Sequence, residues 1–283
     1  MTRWLVTGAG GMLGTDLLAA LADRRPLDDV RAADRATLDV TDEAQVGDAV
    51  RGVDVVVNAA AWTDVDGAET AEAAAFRVNA VGSALLARAC RSTGARLLQL
   101  STDYVFAGQA VAPYPEDAPQ DPRTAYGRTK AAGEWAVRAQ LPDRSWVLRT
   151  AWLYGWHGPN FVTTIRRLAA EGDELRVVDD QHGQPTWTVD LAHRIVDVVE
   201  VDAPPGTYHA TNAGATTWHG LAEAVLRHAG DTTTKVVPCT TQEYPRPAPR
   251  PAWSVLGHAG WAKAGLPAMR PWDQALAAAL PLV

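Results

Sequence analysis

A largely apolar run, Leu97 to Leu100, ends in Ser101-Thr102-Asp103-Tyr104, and further on Tyr126 and Lys130 stand four residues apart. On a helix that spacing puts both side chains on one face, about one turn apart. A phenol of ordinary pKa near 10 becomes a usable proton donor and acceptor at neutral pH when an ammonium group stabilises its phenolate. A threonine hydroxyl held at a strand mouth adds a fixed donor for a carbonyl oxygen. Thr102, Tyr126 and Lys130 together could therefore deliver a proton to the oxyanion formed when a ketone accepts a hydride. The hydride has to come from another part of the chain.

Its source is written at the N-terminus, where the strand-like Trp4-Leu5-Val6-Thr7-Gly8 runs directly into a turn with Gly8, Gly11 and Gly14 at three-residue spacing, followed by an amphipathic helix. So tight a turn requires residues without a β-carbon, and the helix N-terminus behind it offers free N–H groups to a pyrophosphate. The spacing is G-x-x-G-x-x-G, not the more familiar G-x-G-x-x-G, so its weight comes from context: a strand before, a helix after, first in a βαβ series. Asp34 ends the second strand, placed to hydrogen-bond the adenosine ribose hydroxyls of NAD. Arg35 beside it can stack on adenine or pair with the 2′-phosphate of NADP, so NADH and NADPH are both expected. Asp39 could reach the adenine edge; the competing role in that segment is a helix N-cap by Thr41 or Asp42.

These groups need a scaffold that brings strand ends together. Trp4 to Gly8, Val30 to Asp34, Asp54 to Ala60, Arg96 to Ser101 and Trp146 to Ala151 read as strands. The stretches Gly11 to Arg24, Asp42 to Arg51, Ala68 to Thr93 and Thr124 to Leu141 are long enough to be crossover helices. Strands that are apolar nearly throughout imply helices on both faces, hence an α/β doubly wound parallel sheet of Rossmann type over residues 1–155. From 156 to 283 Pro and Gly clusters separate shorter elements, as in a smaller substrate-binding lobe that could interleave with the first domain. Its expected helices are Phe161 to Glu171, Trp187 to Glu200, Trp218 to Gly230 and Trp272 to Leu280. The Pro-rich run Pro245 to Pro251 reads as a rigid packed loop.

Composition narrows the partners. The chain has 283 residues, 47% hydrophobic and 21% charged, with a formal net charge of −7. It carries no basic block that would mark a nucleic-acid or anionic-membrane surface, and no apolar run of membrane-spanning length. Cys90 and Cys239 lack metal spacing and are expected as reduced core thiols; with no signal-peptide pattern at Met1, the cytoplasm is the expected compartment. The 7 histidines show no metal pattern, and no metal is expected. Most of the 11 tryptophans are assigned to packing, Trp4, Trp135, Trp146, Trp218 and Trp272 among them, and only Trp62 and Trp152 are singled out near the site.

The motifs now assembled resemble the dTDP-4-dehydrorhamnose reductase family, in the extended short-chain dehydrogenase/reductase superfamily. The resemblance extends through Asn58 to Glu69, Val78 to Gly82, Ser101 to Gly108, Tyr126 to Glu134, Leu148 to Gly155, Gly158 to Val162, Asp180 to Trp187 and Ala248 to Leu256. It implies catalytic roles for Thr102, Tyr126 and Lys130. Around the cofactor it places Gly8, Gly11, Met12, Leu13, Gly14, Asp34, Arg35, Asp39, Val40, Ala60, Ala61, Trp62 and Thr63, along with Tyr126 and Lys130. Toward the substrate it places Thr102, Asp103, Trp152, Asn160 and Arg250, with Asn160 and the following helix N-terminus near a diphosphate. For Arg250 the alternative is a surface or loop-bracing arginine. Trp62 departs from the smaller aromatic or His usual in the family, which bears on local pocket shape. The implied reaction is NAD(P)H-dependent reduction of the 4-keto group of a dTDP-4-dehydro-6-deoxy-L-hexose to give dTDP-L-rhamnose. The alternatives are a sister 4-ketoreductase of antibiotic sugar biosynthesis, such as one forming dTDP-dihydrostreptose, and a non-catalytic nucleotide-binding regulatory subunit. The intact Thr, Tyr and Lys favour an enzyme. Oligomeric state is left open, with a homodimer as one option.

Overall fold

A computed structural model describes residues 1–280. Five parallel strands form in the first half: β1 (Arg3–Thr7), β2 (Asp29–Ala33), β3 (Val55–Asn58), β4 (Arg96–Thr102) and β5 (Ser145–Thr150). Connecting them are α1 (Met12–Arg24), α2 (Glu43–Val50), α3 (Val65–Ala68), α4 (Glu72–Phe76), α5 (Ser83–Thr93) and α6 (Ala125–Gln140). Then come β6 (Leu153–Tyr154), α7 (Phe161–Glu171), β7 (Glu174–Val178), β8 (His182–Gly183), β9 (Thr186–Trp187) and α8 (Thr188–Glu200). The chain continues through β10 (Gly206–His209), β11 (Thr216–Thr217), α9 (Trp218–His228), β12 (Lys235–Cys239), α10 (Ala259–Lys263) and α11 (Trp272–Ala279). The main sheet has six strands in the order β10-β5-β4-β3-β1-β2.

Alternation along the buried strands feeds two apolar layers. Val57, Leu98 and Leu148 pack on one face with Leu17 and Leu21 of α1 and Leu191 and Ile195 of α8. Val56, Leu97 and Val147 pack on the other with Val46 of α2, Leu86 and Cys90 of α5 and Val137 of α6. Apolar strands sandwiched this way are what a two-sided helical cover demands. A third cluster, built on Ile165, Val177, Leu221, Val225 and Leu276, is the core of the smaller lobe.

The second half of the chain is not confined to that lobe. β10 pairs with β5, α8 packs on α1 and Trp261 of α10 joins the same apolar layer, so elements beyond residue 156 return to the first body. Short, polar Gly206-Thr207-Tyr208-His209 gives no apolar signal of a central-sheet strand. The expected single helix from Ala68 to Thr93 is also divided, into α3, α4, a π-helical stretch Arg77–Gly82 and α5. The wide turn lies where α6 approaches closely: a β-carbon on Gly133 would stand 2.3 Å from the Asn79 carbonyl oxygen.

Candidate active site

The phosphate-binding turn is built from absent side chains. Gly8 has a φ of 67°, and a β-carbon there would lie 2.6 Å from the Ala60 nitrogen; one on Gly14 would lie 2.3 Å from the Gly8 oxygen. Gly11 is the N-cap of α1 and gives its first turn no side-chain cap, which leaves N–H groups there for an anion. Leu13 turns its side chain into the core, whereas Met12 lies against Gly155.

At the end of β2, Asp34 uses Oδ1 to accept from the backbone N–H groups of Ala36 and Thr37, at 2.9 and 3.0 Å, and keeps Oδ2 for a ligand. These bonds, led by that from the Thr37 hydroxyl, hold its carboxyl below the usual range. Arg35 is exposed and makes no side-chain hydrogen bond or ion pair among the described residues. Asp39 holds the Thr41 N–H and hydroxyl, while Asp42 caps α2 through Ala44 and Gln45. Val40 is buried against Gly82. Ala60, Ala61 and Trp62 are half-buried in the loop after β3, and Thr63 is exposed. This cradle fits a dinucleotide: no β-carbon fills it, its helix end is open, and an acid with a free oxygen stands at the second strand.

Lys130 is 5% exposed, and its Nζ donates to the Leu100 carbonyl at 2.7 Å. That carbonyl also ends a buried row crossing three strands, in which Thr7 donates to Asn58, Asn58 to Gln99, and Gln99 to Leu100. Burial lowers the ammonium pKa to about 8, opposed by Glu134 one turn further along α6. Tyr126 stands at the start of α6, where Thr124 caps the helix; its ring meets Tyr104 edge-on at 5.7 Å. Burial pushes the phenol of Tyr126, which faces Thr102, up from its ordinary value. A proton donor at neutral pH is the result.

Several residues that matter here were not singled out in the sequence. Asn79 accepts from the Trp62 N–H at 2.9 Å and donates to the Trp62 carbonyl and to Thr129, locking the loop after β3 onto α6. Glu134 accepts from Ser101 at 2.5 Å and pairs in bidentate fashion with Arg149, both ions fully buried. Arg149 in turn donates to His209 Nε2, whose Nδ1–H faces the Gly257 carbonyl at 2.9 Å. Burial, then Arg149, push His209 down to about 3, so it is neutral. Glu134 had a legible signal, an acid four residues after Lys130 on the same helix face.

The structure engages two residues expected on the substrate side within the protein itself. Asn160 caps α7: Oδ1 accepts the Thr163 N–H and the amide donors go to the Gly155 and Gly158 carbonyls, so neither donor is free for a phosphate. Arg250 braces its loop, pairing with Asp66 at 2.9 Å and with the Ala248 carbonyl. Trp218 packs as expected, against the core of the second half of the chain, and stacks on Trp152 with ring centroids 3.6 Å apart. Trp152, at a φ of 46°, lies between that ring and Gly183, where a β-carbon would fall 2.4 Å from its ring. Clamped on both faces, Trp152 can present only its edge to a ligand. Asp103 is 3% exposed beside Thr102.

A parallel dinucleotide cradle with Thr, Tyr and Lys gathered at the neighbouring strand end defines a nicotinamide-dependent reductase. The chain belongs to the RmlD substrate binding domain family, whose sequence model matches residues 2–282. It is 53% identical to a dTDP-4-dehydrorhamnose reductase of Streptomyces griseus, over 99% of this chain and 93% of that one. A probable dTDP-4,6-dihydroxy-2-methyloxan-3-one 4-ketoreductase of Streptomyces antibioticus is 50% identical, over 99% and 95%. The crystal structure of a dTDP-4-dehydrorhamnose reductase from Bacillus anthracis in complex with NADP superposes with a TM-score of 0.95 at 34% identity, covering 100% of this chain and 99% of that one. Among the described residues no helix is long and apolar enough to cross a membrane, and no group of three or more His, Cys, Asp or Glu side chains could hold a metal ion.

Proposed function

We propose that this protein catalyses NAD(P)H-dependent reduction of the 4-keto group of a dTDP-4-dehydro-6-deoxy-L-hexose, with dTDP-4-dehydro-L-rhamnose as substrate and dTDP-L-rhamnose as product. The observation that carries this reading is the buried Lys130, fixed on the Leu100 carbonyl one turn along α6 from Tyr126, which itself faces Thr102. The nicotinamide supplies the hydride when bound. Gly8, Gly11 and Gly14 leave room for its diphosphate, Asp34 and Arg35 take the adenosine end, and Lys130 and Tyr126 take the nicotinamide ribose. Tyr126 gives its phenolic proton to the nascent alkoxide, Lys130 stabilises the phenolate, and Thr102 orients the ketone.

The Streptomyces antibioticus relative, almost as similar as the rhamnose-type one, favours a second reading, a 4-ketoreductase of another dTDP-keto sugar. Intact Thr102, Tyr126 and Lys130 weigh against a non-catalytic regulatory subunit. The partner is the nucleotide sugar, without nucleic acid or membrane; two buried free thiols, Cys90 and Cys239, accord with a cytoplasmic site. The direct test is substrate-dependent loss of NADPH absorbance. Oxidation only with dTDP-4-keto sugars supports the reading, and none with any of them overturns it.

A further inference from the structure

Thr102 has one hydroxyl proton, and the protein already uses it. Thr102 Oγ1 donates to Asp103 Oδ1 at 2.8 Å and accepts the Tyr104 N–H at 3.2 Å. An ionised carboxylate only accepts, so beside it Thr102 has no donor left for a ketone. Asp103 Oδ2 is buried without a hydrogen-bond partner, an uncommon state for a carboxylate oxygen. Tyr126 faces this group from α6, Tyr104 stands in the same turn, and Ser254, whose hydroxyl donates to the His182 carbonyl at 3.5 Å, stands near it in the segment after the Pro-rich loop. The nearby cations are engaged elsewhere, Lys130 with the Leu100 carbonyl and Arg250 with Asp66.

We propose that Asp103 is a positioning residue that sets the direction in which Thr102 donates: as the neutral acid it donates to Thr102 Oγ1 and frees the threonine O–H for the substrate carbonyl, and as the carboxylate it draws that O–H back. With Asp103 neutral, Thr102 Oγ1 accepts from the Tyr104 N–H and the Asp103 O–H, filling both lone pairs and leaving its own proton outward. The Asp103 proton is not consumed. The ketone takes its hydride from the reduced nicotinamide and its proton from Tyr126. Burial, opposed by the hydrogen bond from Thr102, brings the Asp103 acid up to about 6, so both forms are populated near neutrality.

This inference rests on the reductase reading, and its test separates the two. kcat/KM for the dTDP-4-keto substrate is measured from pH 5 to 9 in wild type, Asp103→Asn and Thr102→Val, with NADPH binding followed by fluorescence in each. Wild type should lose on the order of tenfold or more between pH 6 and pH 8, as one controlling ionisation requires. Asp103→Asn keeps a donor facing Thr102 at every pH, so this limb should vanish, leaving only a fall near pH 8 from Lys130. Residual activity of Thr102→Val should lack the limb too. A wild-type profile flat from pH 5.5 to 7.5 overturns the proposal, as does an unchanged limb in either variant. An Asp103→Asn protein that binds NADPH yet is inactive at every pH also overturns it, and if that variant fails to bind NADPH the Thr102→Val profile decides. Wild type inactive at every pH would instead count against the reductase reading.

Discussion

The strand mouth at β4 and α6 and the loops of the smaller lobe treat their polar side chains differently. At the mouth, Thr102 ends β4, Lys130 is fixed on the Leu100 carbonyl of the same strand and Tyr126 stands one turn before it on α6, backed by the buried Glu134–Arg149 pair and the row from Thr7 to Leu100. In the loops of the second half of the chain, Asn160 is taken up as a helix cap and Arg250 by Asp66 of α3. A residue's chemical capacity is therefore available to a ligand only where other groups already satisfy the local backbone. At the mouth that service comes from Thr124, which caps α6 through the Gly127 N–H, leaving the Tyr126 phenol uncommitted. α7 has no such helper, so Asn160 must serve it.

The contrast can be broken by substitution, beginning with the mouth. Tyr126→Phe removes the acid and keeps the ring, so turnover should fall roughly 10²–10⁴-fold, the span of general acid catalysis, with NADPH binding retained. Near-normal turnover would remove Tyr126 from the role. Next in size is Arg149→Met, which strands the Glu134 charge in the interior; unfolding in urea should report a loss of about 3–5 kcal/mol, as for other broken buried pairs. A loss below about 1 kcal/mol, the scale of an exposed pair, would mean that the pair is solvated.

At the cofactor's adenosine end, both NADH and NADPH should support activity, with a specificity ratio under about a hundredfold, or about 2.7 kcal/mol. Arg35→Ala should weaken NADPH selectively, and an equal loss with both cofactors would make Arg35 an adenine-stacking or structural residue. The smallest effect belongs to the lobe. Asn160→Ala should cost about 0.5–2 kcal/mol of stability, the usual worth of an N-cap. It should alter KM for the dTDP sugar little, and a large selective rise in that KM would restore the diphosphate role. pH sharpens the difference again: burial lowers the Lys130 pKa, so its cation is present below about 8 and lost above, and kcat should decline there.

How much of this was legible in the sequence follows the same division. Gly8, Gly11 and Gly14, Asp34, and the Tyr126 and Lys130 pair lie in short segments where local spacing fixes geometry, and the parallel sheet followed from its apolar strands. Asn79, Arg149 and His209 work through partners 15 to 60 residues away, and no local pattern carries those distances. Trp152 stacks on Trp218 and lies so close to Gly183 that a β-carbon there would meet its ring, contacts between segments far apart in sequence. Asn160 was misassigned although its capping box was visible, because Asn160 and Thr163 at N-cap and N3 form a known helix start.

The reductase assignment itself is most directly tested by incubating the purified protein with NADPH and dTDP-4-dehydro-L-rhamnose and identifying the product by NMR and mass spectrometry. One equivalent of NADPH should be consumed for each dTDP-L-rhamnose formed, and Tyr126→Phe should form almost none. Unchanged keto sugar and unoxidised NADPH, with the cofactor nonetheless bound, would contradict it.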